Sequence, residues 1–303
     1  MSVLIVGSVG LDDITTPTDS RRDLLGGSAS YAVAAASFFA PAQMVGVVGE
    51  DFPQAHIDFL KARGVDLEGL QIVKGGKTFH WAGEYFGDMN TRETRSIALN
   101  VFESFRPVLP ENWRDTDIVL LANIAPDLQH LVLDQVRAPR FVIADTMDLW
   151  IATARERLVA LLARVDMLIL NDGEARQLTG ETNLVVAGRR ILAMGPRFVA
   201  IKKGEHGCLL MSREGEIFAC PAFPLESLVD PTGAGDSFAG AAAGALAGKN
   251  GAIAFDDLRS AVVRGSVLAS FNVEAFSLER LRSLDEAQIA ERLDAFRKLT
   301  TFD

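Results

Sequence analysis

Near the end of the chain, Val229-Asp230-Pro231-Thr232-Gly233-Ala234-Gly235-Asp236-Ser237-Phe238 runs into a stretch built almost entirely of alanine and glycine. The glycines on either side of Ala234 permit a tight turn in which successive N–H groups face one point. The helix that follows adds its unpaired first-turn donors and the positive end of its dipole. Such a place stabilises developing negative charge, and Asp236 stands beside it as a proton acceptor. An anion cradle next to a carboxylate is what phosphoryl transfer to a hydroxyl group requires. The dipole is expected to favour the charged form of Asp236, by about 0.3–1 kcal/mol.

Holding these residues in place takes a rigid scaffold. Val3–Val6, Met44–Val48, Ile118–Leu121, Phe141–Ala144, Met167–Leu170 and Phe198–Ile201 read as strands buried on both faces, as in a parallel sheet. Helical stretches lie between them at Ser30–Phe39, Gln54–Arg63, Asp127–Val136, Arg155–Arg164 and Val185–Met194. Cys208–Met211 and Ile217–Ala219, separated by a polar turn, read as a hairpin. This alternation predicts an α/β fold, a doubly wound and mostly parallel sheet with helices on both faces.

Lys77–Phe86 and Arg95–Asn100, joined by a turn at 87–90, break the rhythm, as does a short extended piece at Leu11–Thr16. They predict a small β lid over the ligand cleft, with an antiparallel edge on the main sheet as the plainer alternative. His80, Trp81, Tyr85 and Phe86 give that lid an aromatic inner face, suited to stacking on a base or sugar ring or simply to packing. No linker is evident, so residues 1–303 read as one domain with lid strands near 11–16 and 77–100 inserted in it.

With 49% hydrophobic residues in 303, the chain can bury a sizeable core. A net charge of -10 argues against nucleic acid or an anionic membrane as partner. It does not argue against a phosphorylated ligand, because a cradle of backbone amides needs no lysines. Cys208 and Cys220 read as reduced core thiols. No apolar run approaches the roughly 20 residues of a membrane span. Met1–Gly7 lacks the basic region and cleavage site of a signal peptide, so a soluble, cytoplasmic protein is expected.

Asp230–Phe238 resembles the C-terminal signature of the ribokinase-like (PfkB) carbohydrate kinase family, and further motifs follow the family order over most of the chain. Gly7-Ser8-Val9-Gly10-Leu11-Asp12 resembles its first strand and substrate-binding aspartate. Gly26-Gly27 before an Ala-rich helix resembles its di-glycine motif. Asn171-Asp172-Gly173-Glu174 is similar to its Asn-x-x-Glu, and Gly204-Glu205-His206-Gly207 to its Gly-x-x-Gly turn near the nucleotide.

The resemblance implies a kinase that uses ATP and Mg2+ to phosphorylate a hydroxymethyl group of a sugar or sugar-like small molecule. A nucleoside (adenosine-type) kinase on the same fold is the alternative, and a ligand-binding relative without turnover a remoter one. By the same resemblance Asp236 is the catalytic base, and Gly233, Ala234 and Gly235 form the anion hole. Asp12, Gly26 and Gly27 bind substrate, with Ser30 nearest to a further expected contact. Asn171, Glu174, Lys202, Gly204 and Gly207 fall to the nucleotide, Glu174 meeting magnesium through water; Asn171 with Glu174 is equally a capping box. Lys202 and its neighbour Lys203 read equally as solvated residues at a strand end. Asp230 and Thr232 stand where relatives help to hold a monovalent cation such as K+, with Ser277 as a later contributor. An Asp-Pro turn accounts for the same pair, and both readings stay open. Pairing of two lids into a homodimer is a further implication.

Two departures fall on the acceptor side. The segment Gly26–Tyr31 is one residue short and lacks the Asn that relatives carry after the di-glycine, and Asp145–Trp150 lacks the arginine that many sugar kinases have after this strand. They leave the reaction type alone and the acceptor open. Other signals fall away. Gly76-Lys77-Thr78 imitates a P-loop tail, but Gln71 stands where its first glycine belongs. No Gly-x-Gly-x-x-Gly follows the first strand, and His56, His80, His130 and His206 lack metal-ligand spacing. The small residues of Ala239–Gly248 are read as close packing against the sheet.

Overall fold

The computed structural model describes residues 2–301 apart from Asp88 and Asn90, so the turn expected at 87–90 lies partly outside the described residues. In chain order the strands are β1 (Val3–Val6), β2 (Gly10–Thr15), β3 (Ser20–Gly26), β4 (Ala42–Gly49), β5 (Leu70–Val73), β6 (Phe79–Phe86), β7 (Thr91–Ala98), β8 (Ile118–Leu121), β9 (Phe141–Asp145), β10 (Met167–Asn171), β11 (Phe198–Lys202), β12 (Cys208–Ser212) and β13 (Ile217–Cys220). Nine of them form the main sheet in the order β13-β12-β11-β10-β9-β8-β1-β4-β5, parallel except for the β12–β13 hairpin at one edge.

Alternate residues of a strand face opposite sides of a sheet, and here both sides are filled. Val3, Ile5, Met44, Ile118, Ile143 and Ile169 enter one core, beneath helices Ser28–Ala36, Ala234–Ala247 and Phe255–Asn272. Leu4, Val6, Val45, Val119, Val142 and Leu168 enter the other, beneath Pro126–Leu133, Arg155–Leu162, Asp172–Thr179 and Leu184–Ala193. Burial on both faces is why these strands read as unbroken apolar runs. The chain winds from β1 outward to β4 and β5, then returns to β8 and proceeds the other way. Strand order reverses at β1, the place where open α/β sheets form a ligand crevice at the carboxyl ends of their strands.

Small residues in the helix Ala234–Ala247 do more than pack on the sheet. A Cβ on Gly240 would run into the Ala32 backbone, and one on Gly244 would lie 2.6 Å from the Ala36 carbonyl. Close approach therefore locks the helix that carries Asp236 to the helix that follows Gly26-Gly27. The two motifs, some two hundred residues apart in the chain, face one crevice.

The remaining strands make a second sheet, ordered β3-β2-β6-β7. No element is expected from the sequence at β3, whose Ser20-Arg21-Arg22-Asp23 is polar and exposed at the sheet edge. Strand β7 starts at Thr91 rather than at Arg95, and Asn100–Ser104 is a 3-10 turn. The expected aromatic inner face is also corrected, because the two-residue period separates its members. Trp81 and Tyr85 pack toward the main domain with Ile14 and Phe276. His80 instead meets Asp13 on the outer face, at 3.4 Å, and Phe86 lies under Arg95 there.

Candidate active site

Gly233 takes φ 74 and ψ 1, a left-handed conformation that glycine adopts at no steric cost, and a Cβ there would strike the Tyr31 ring. From it the helix Ala234–Ala247 begins, with Asp236 in its first turn. Of the three expected anion-hole donors, the Ala234 N–H already meets the Pro231 carbonyl at 3.2 Å. That bond must bifurcate or lengthen if the amide is also to meet a phosphate oxygen.

Lys202 ends β11 and is not a solvated strand-end lysine. Its side chain is 17% exposed and Nζ donates to Asp145 Oδ2 at 3.1 Å. A Cβ added to Gly235 would lie 2.9 Å from Nζ, so the ammonium rests against the glycine turn. Burial alone would lower this ammonium, but Asp145, Glu174 and Asp236 together hold it above its ordinary value. Asp145 was missed as a site residue. Its one sequence signal is an acid closing a buried apolar strand, at the sheet edge where crevices form.

Asn171 and Glu174 form the capping box: Asn171 N–H donates to Glu174 Oε2 at 2.7 Å and Glu174 N–H to Asn171 Oδ1 at 2.8 Å. Glu174 is nevertheless buried beside Lys202 and Asp145, whereas Asn171 is exposed. The 3-10 turn Gly204–His206 continues from β11, and Lys203 N–H closes it onto the Gly207 carbonyl at 2.7 Å. Gly207 has a packing reason as well, since a Cβ there would run into the Cys220 backbone.

Across the crevice Asp12 is 3% exposed, and a Cβ on Gly26 would collide with its carboxylate. Gly27 caps the helix Ser28–Ala36, while Ser8 and Ser28 bond each other's backbone N–H at 3.1 and 3.0 Å. Ser30 is fully buried in that helix, its hydroxyl without a partner among the described residues, so it does not line open space here. Asp230 is fully buried and accepts N–H bonds from Thr232 and Ser277, each at 2.9 Å. Thr232 donates its hydroxyl to Tyr85 of β6 at 3.0 Å, which ties the second sheet to the glycine turn. One grouping was invisible in the spacing of the histidines. His80, Asp13 and Asp23 bring their ligand atoms within 4.8 Å of one another on the outer face of the small sheet.

The electrostatics reverse one expectation. Burial, then Asp145, pushes the Asp236 carboxyl up to about 7, with Lys202 and Arg92 pulling back. Desolvation therefore overrides the helix dipole. Burial, with Asp230 and Asp236 nearby, lifts Asp12 to about 8, and burial lifts Glu174 to about 7 against the pull of Lys202. Ordinary values are 3.8 for Asp and 4.5 for Glu, so between these and 7 to 8 the folded state keeps protons that the unfolded chain has released. Stability then falls as pH rises through that window, by up to about 1.4 kcal/mol per pH unit for each such proton. The melting midpoint of ligand-free protein should drop between about pH 5 and about pH 8, and Asp12→Asn should flatten the slope. A midpoint that climbs over that range would contradict these shifts.

Acids and one lysine gathered at an amide-lined helix start, beside a crevice, serve phosphoryl transfer onto an alcohol, which places the protein among the phosphotransferases. More narrowly, the chain belongs to the pfkB family of carbohydrate kinases, whose family model matches residues 11–281. It is 30% identical over 255 residues to a cytidine kinase of Thermococcus kodakarensis, covering 82% of this chain and 88% of that one. It is 29% identical over 304 residues to a ribokinase of Bacillus subtilis, covering 92% and 94%. Among solved structures, the ribokinase of Giardia lamblia superposes with a TM-score of 0.80 at 18% identity, over 99% of each chain.

Proposed function

We propose that this protein transfers the γ-phosphoryl group of ATP to a hydroxymethyl group of a sugar or sugar-like small molecule. The observation that carries this reading is Asp236, held in the first turn of a helix entered through Gly233, with Lys202 against Gly235 and Asp12 across the crevice. Asp12 accepts hydrogen bonds from acceptor hydroxyls and orients one of them. Asp236 takes that hydroxyl's proton as the oxygen attacks the γ-phosphorus. The bond from phosphorus to the bridging oxygen breaks and ADP leaves, its charge met by Lys202 and the amides of Gly233–Gly235. Magnesium is placed by this reading near Glu174, which is buried beside Lys202 and Asp145. When bound, it would offset phosphate charge, with Glu174 reaching it through water.

A nucleoside acceptor is the second reading, favoured by the partly exposed Trp81 on the inner face of the small sheet and by the cytidine kinase among the relatives. An ADP-release assay with a panel of sugars and nucleosides tests both. Turnover with pentoses or hexoses alone supports the first, turnover with nucleosides alone supports the second, and no ADP release with any acceptor overturns phosphotransfer.

Asp230 and Thr232 are further proposed to seat a monovalent cation. Asp230 is fully buried beside Thr232 and accepts only two amide N–H bonds, from Thr232 and Ser277, so its carboxylate keeps acceptor capacity that a cation could use. Activity should then increase when K+ replaces a bulky organic cation, and a flat response removes this assignment. The small sheet is proposed as a lid over the acceptor within one domain, residues 1–303, and as the contact between two copies in a homodimer. A cytoplasmic setting is proposed with it; no helix among the described residues is long and apolar enough to cross a membrane.

A further inference from the structure

We propose that Arg92, on the small sheet, is a catalytic residue that meets the phosphoryl group from the acceptor side as it is transferred. The inference rests on the phosphotransfer reading above and adds to it a residue from outside the family motifs.

Register comes first. Arg92 pairs with Tyr85 across the antiparallel β6–β7 ladder, so the two side chains leave the same face. Tyr85 is 6% exposed and accepts the Thr232 hydroxyl at 3.0 Å. Ladder register therefore places Arg92, an exposed residue, beside the segment that leads into Gly233. Its charge lowers the Tyr85 hydroxyl, and its guanidinium sits 5.5 Å from the centre of the Trp81 ring. Trp81 in turn is registered with Asp12 on β2. The guanidinium thus overlooks the space between the catalytic turn and Asp12, where the proposal puts the acceptor hydroxyl.

Charge comes second. Asp12, Asp145, Glu174, Asp230 and Asp236 face one another here, and Lys202 and Arg92 are the two cations that act on Asp236. Lys202 already pairs with Asp145. Arg95, on the opposite face of the same strand, pairs with Glu84 and Glu93. Arg92 has no carboxylate within ion-pair distance among the described residues, although its charge lowers the carboxyls of both Asp12 and Asp236. An exposed, planar guanidinium over an indole suits bidentate contact with phosphoryl oxygens. During transfer those equatorial oxygens carry the charge, and a cation there stabilises the transition state more than the ground state. Lys202 serves the leaving side and Arg92 the arriving side. Arg92 moves no proton; Asp236 does.

The test measures steady-state kinetics of the full-length enzyme with its best acceptor, for wild type, Arg92→Ala, Arg92→Gln, Arg92→Lys and Asp236→Asn. Arg92→Ala and Arg92→Gln are expected to lower kcat by on the order of 10³ while the KM for ATP stays within about threefold. Arg92→Lys should fall between them and wild type. Added ethylguanidinium should restore at least about tenfold of the Arg92→Ala rate, which a packing role for the side chain would not allow. A kcat within about tenfold of wild type in both neutral variants overturns the proposal, as does a loss that neither guanidinium nor lysine relieves. Active wild type with inactive Asp236→Asn and near-normal Arg92→Ala removes Arg92 alone. Wild type that transfers no phosphate to any acceptor removes the phosphotransfer reading itself.

Discussion

Asp236→Asn should bind ATP about as well as wild type and turn over more slowly by on the order of 10²–10⁴, the usual span for losing a general base. Asparagine keeps the size and the helical position but cannot take the hydroxyl proton. ATP affinity should survive because the donor is assigned to the glycine turn and to Lys202, which lies against Gly235, rather than to Asp236. A pH signature accompanies the change. With the Asp236 carboxyl at about 7 in the free enzyme, the protonated form is inactive, so kcat/KM of wild type should fall as pH drops below that value. In the variant, the part of this limb that Asp236 contributes should be lost from the residual rate, while Asp12 and Glu174, raised to about 8 and about 7, still titrate. Unchanged turnover in Asp236→Asn would remove it as the base, whatever became of the fold.

Lys202→Met has the second large effect, and it comes in two separable parts. Loss of the ammonium beside Gly235 should cost on the order of 10²–10³ in turnover, the scale of a lost transition-state donor. It also leaves Asp145, 4% exposed, without its partner at 3.1 Å. Breaking a buried pair from one side typically costs about 3–5 kcal/mol. Burial already raises the Asp145 carboxyl, so the orphaned group can take a proton and soften the loss at low pH. The instability should therefore deepen as pH rises. Adding Asp145→Asn to Lys202→Met should recover most of the stability and little of the turnover, as thermal unfolding and an ADP-release assay would register. Recovery of both together would mean that Lys202 merely neutralises Asp145.

Much of this was legible before any coordinates. Parallel strands covered on both faces must be apolar at every position, so β1, β8 and β11 announced themselves as uninterrupted runs, and their order implied the doubly wound sheet. The glycine turn with Asp236 was legible because the left-handed backbone at Gly233 demands glycine locally. Asn171 and Glu174 were readable for the same reason, since a capping box is a four-residue interaction.

Whatever depends on partners far apart in the chain came only with the tertiary structure. Polar β3 is a strand because β2 pairs with it, not through any pattern of its own. Lys202 could not be told from a solvated lysine until the fold brought Asp145 to it across 57 residues. Side-chain alternation sorted Trp81 from His80, and ladder register brought Arg92 level with Tyr85. Least readable was the protonation of the acids. Local sequence carries the helix dipole at Asp236, but the loss of water that outweighs it is made by everything packed around the site.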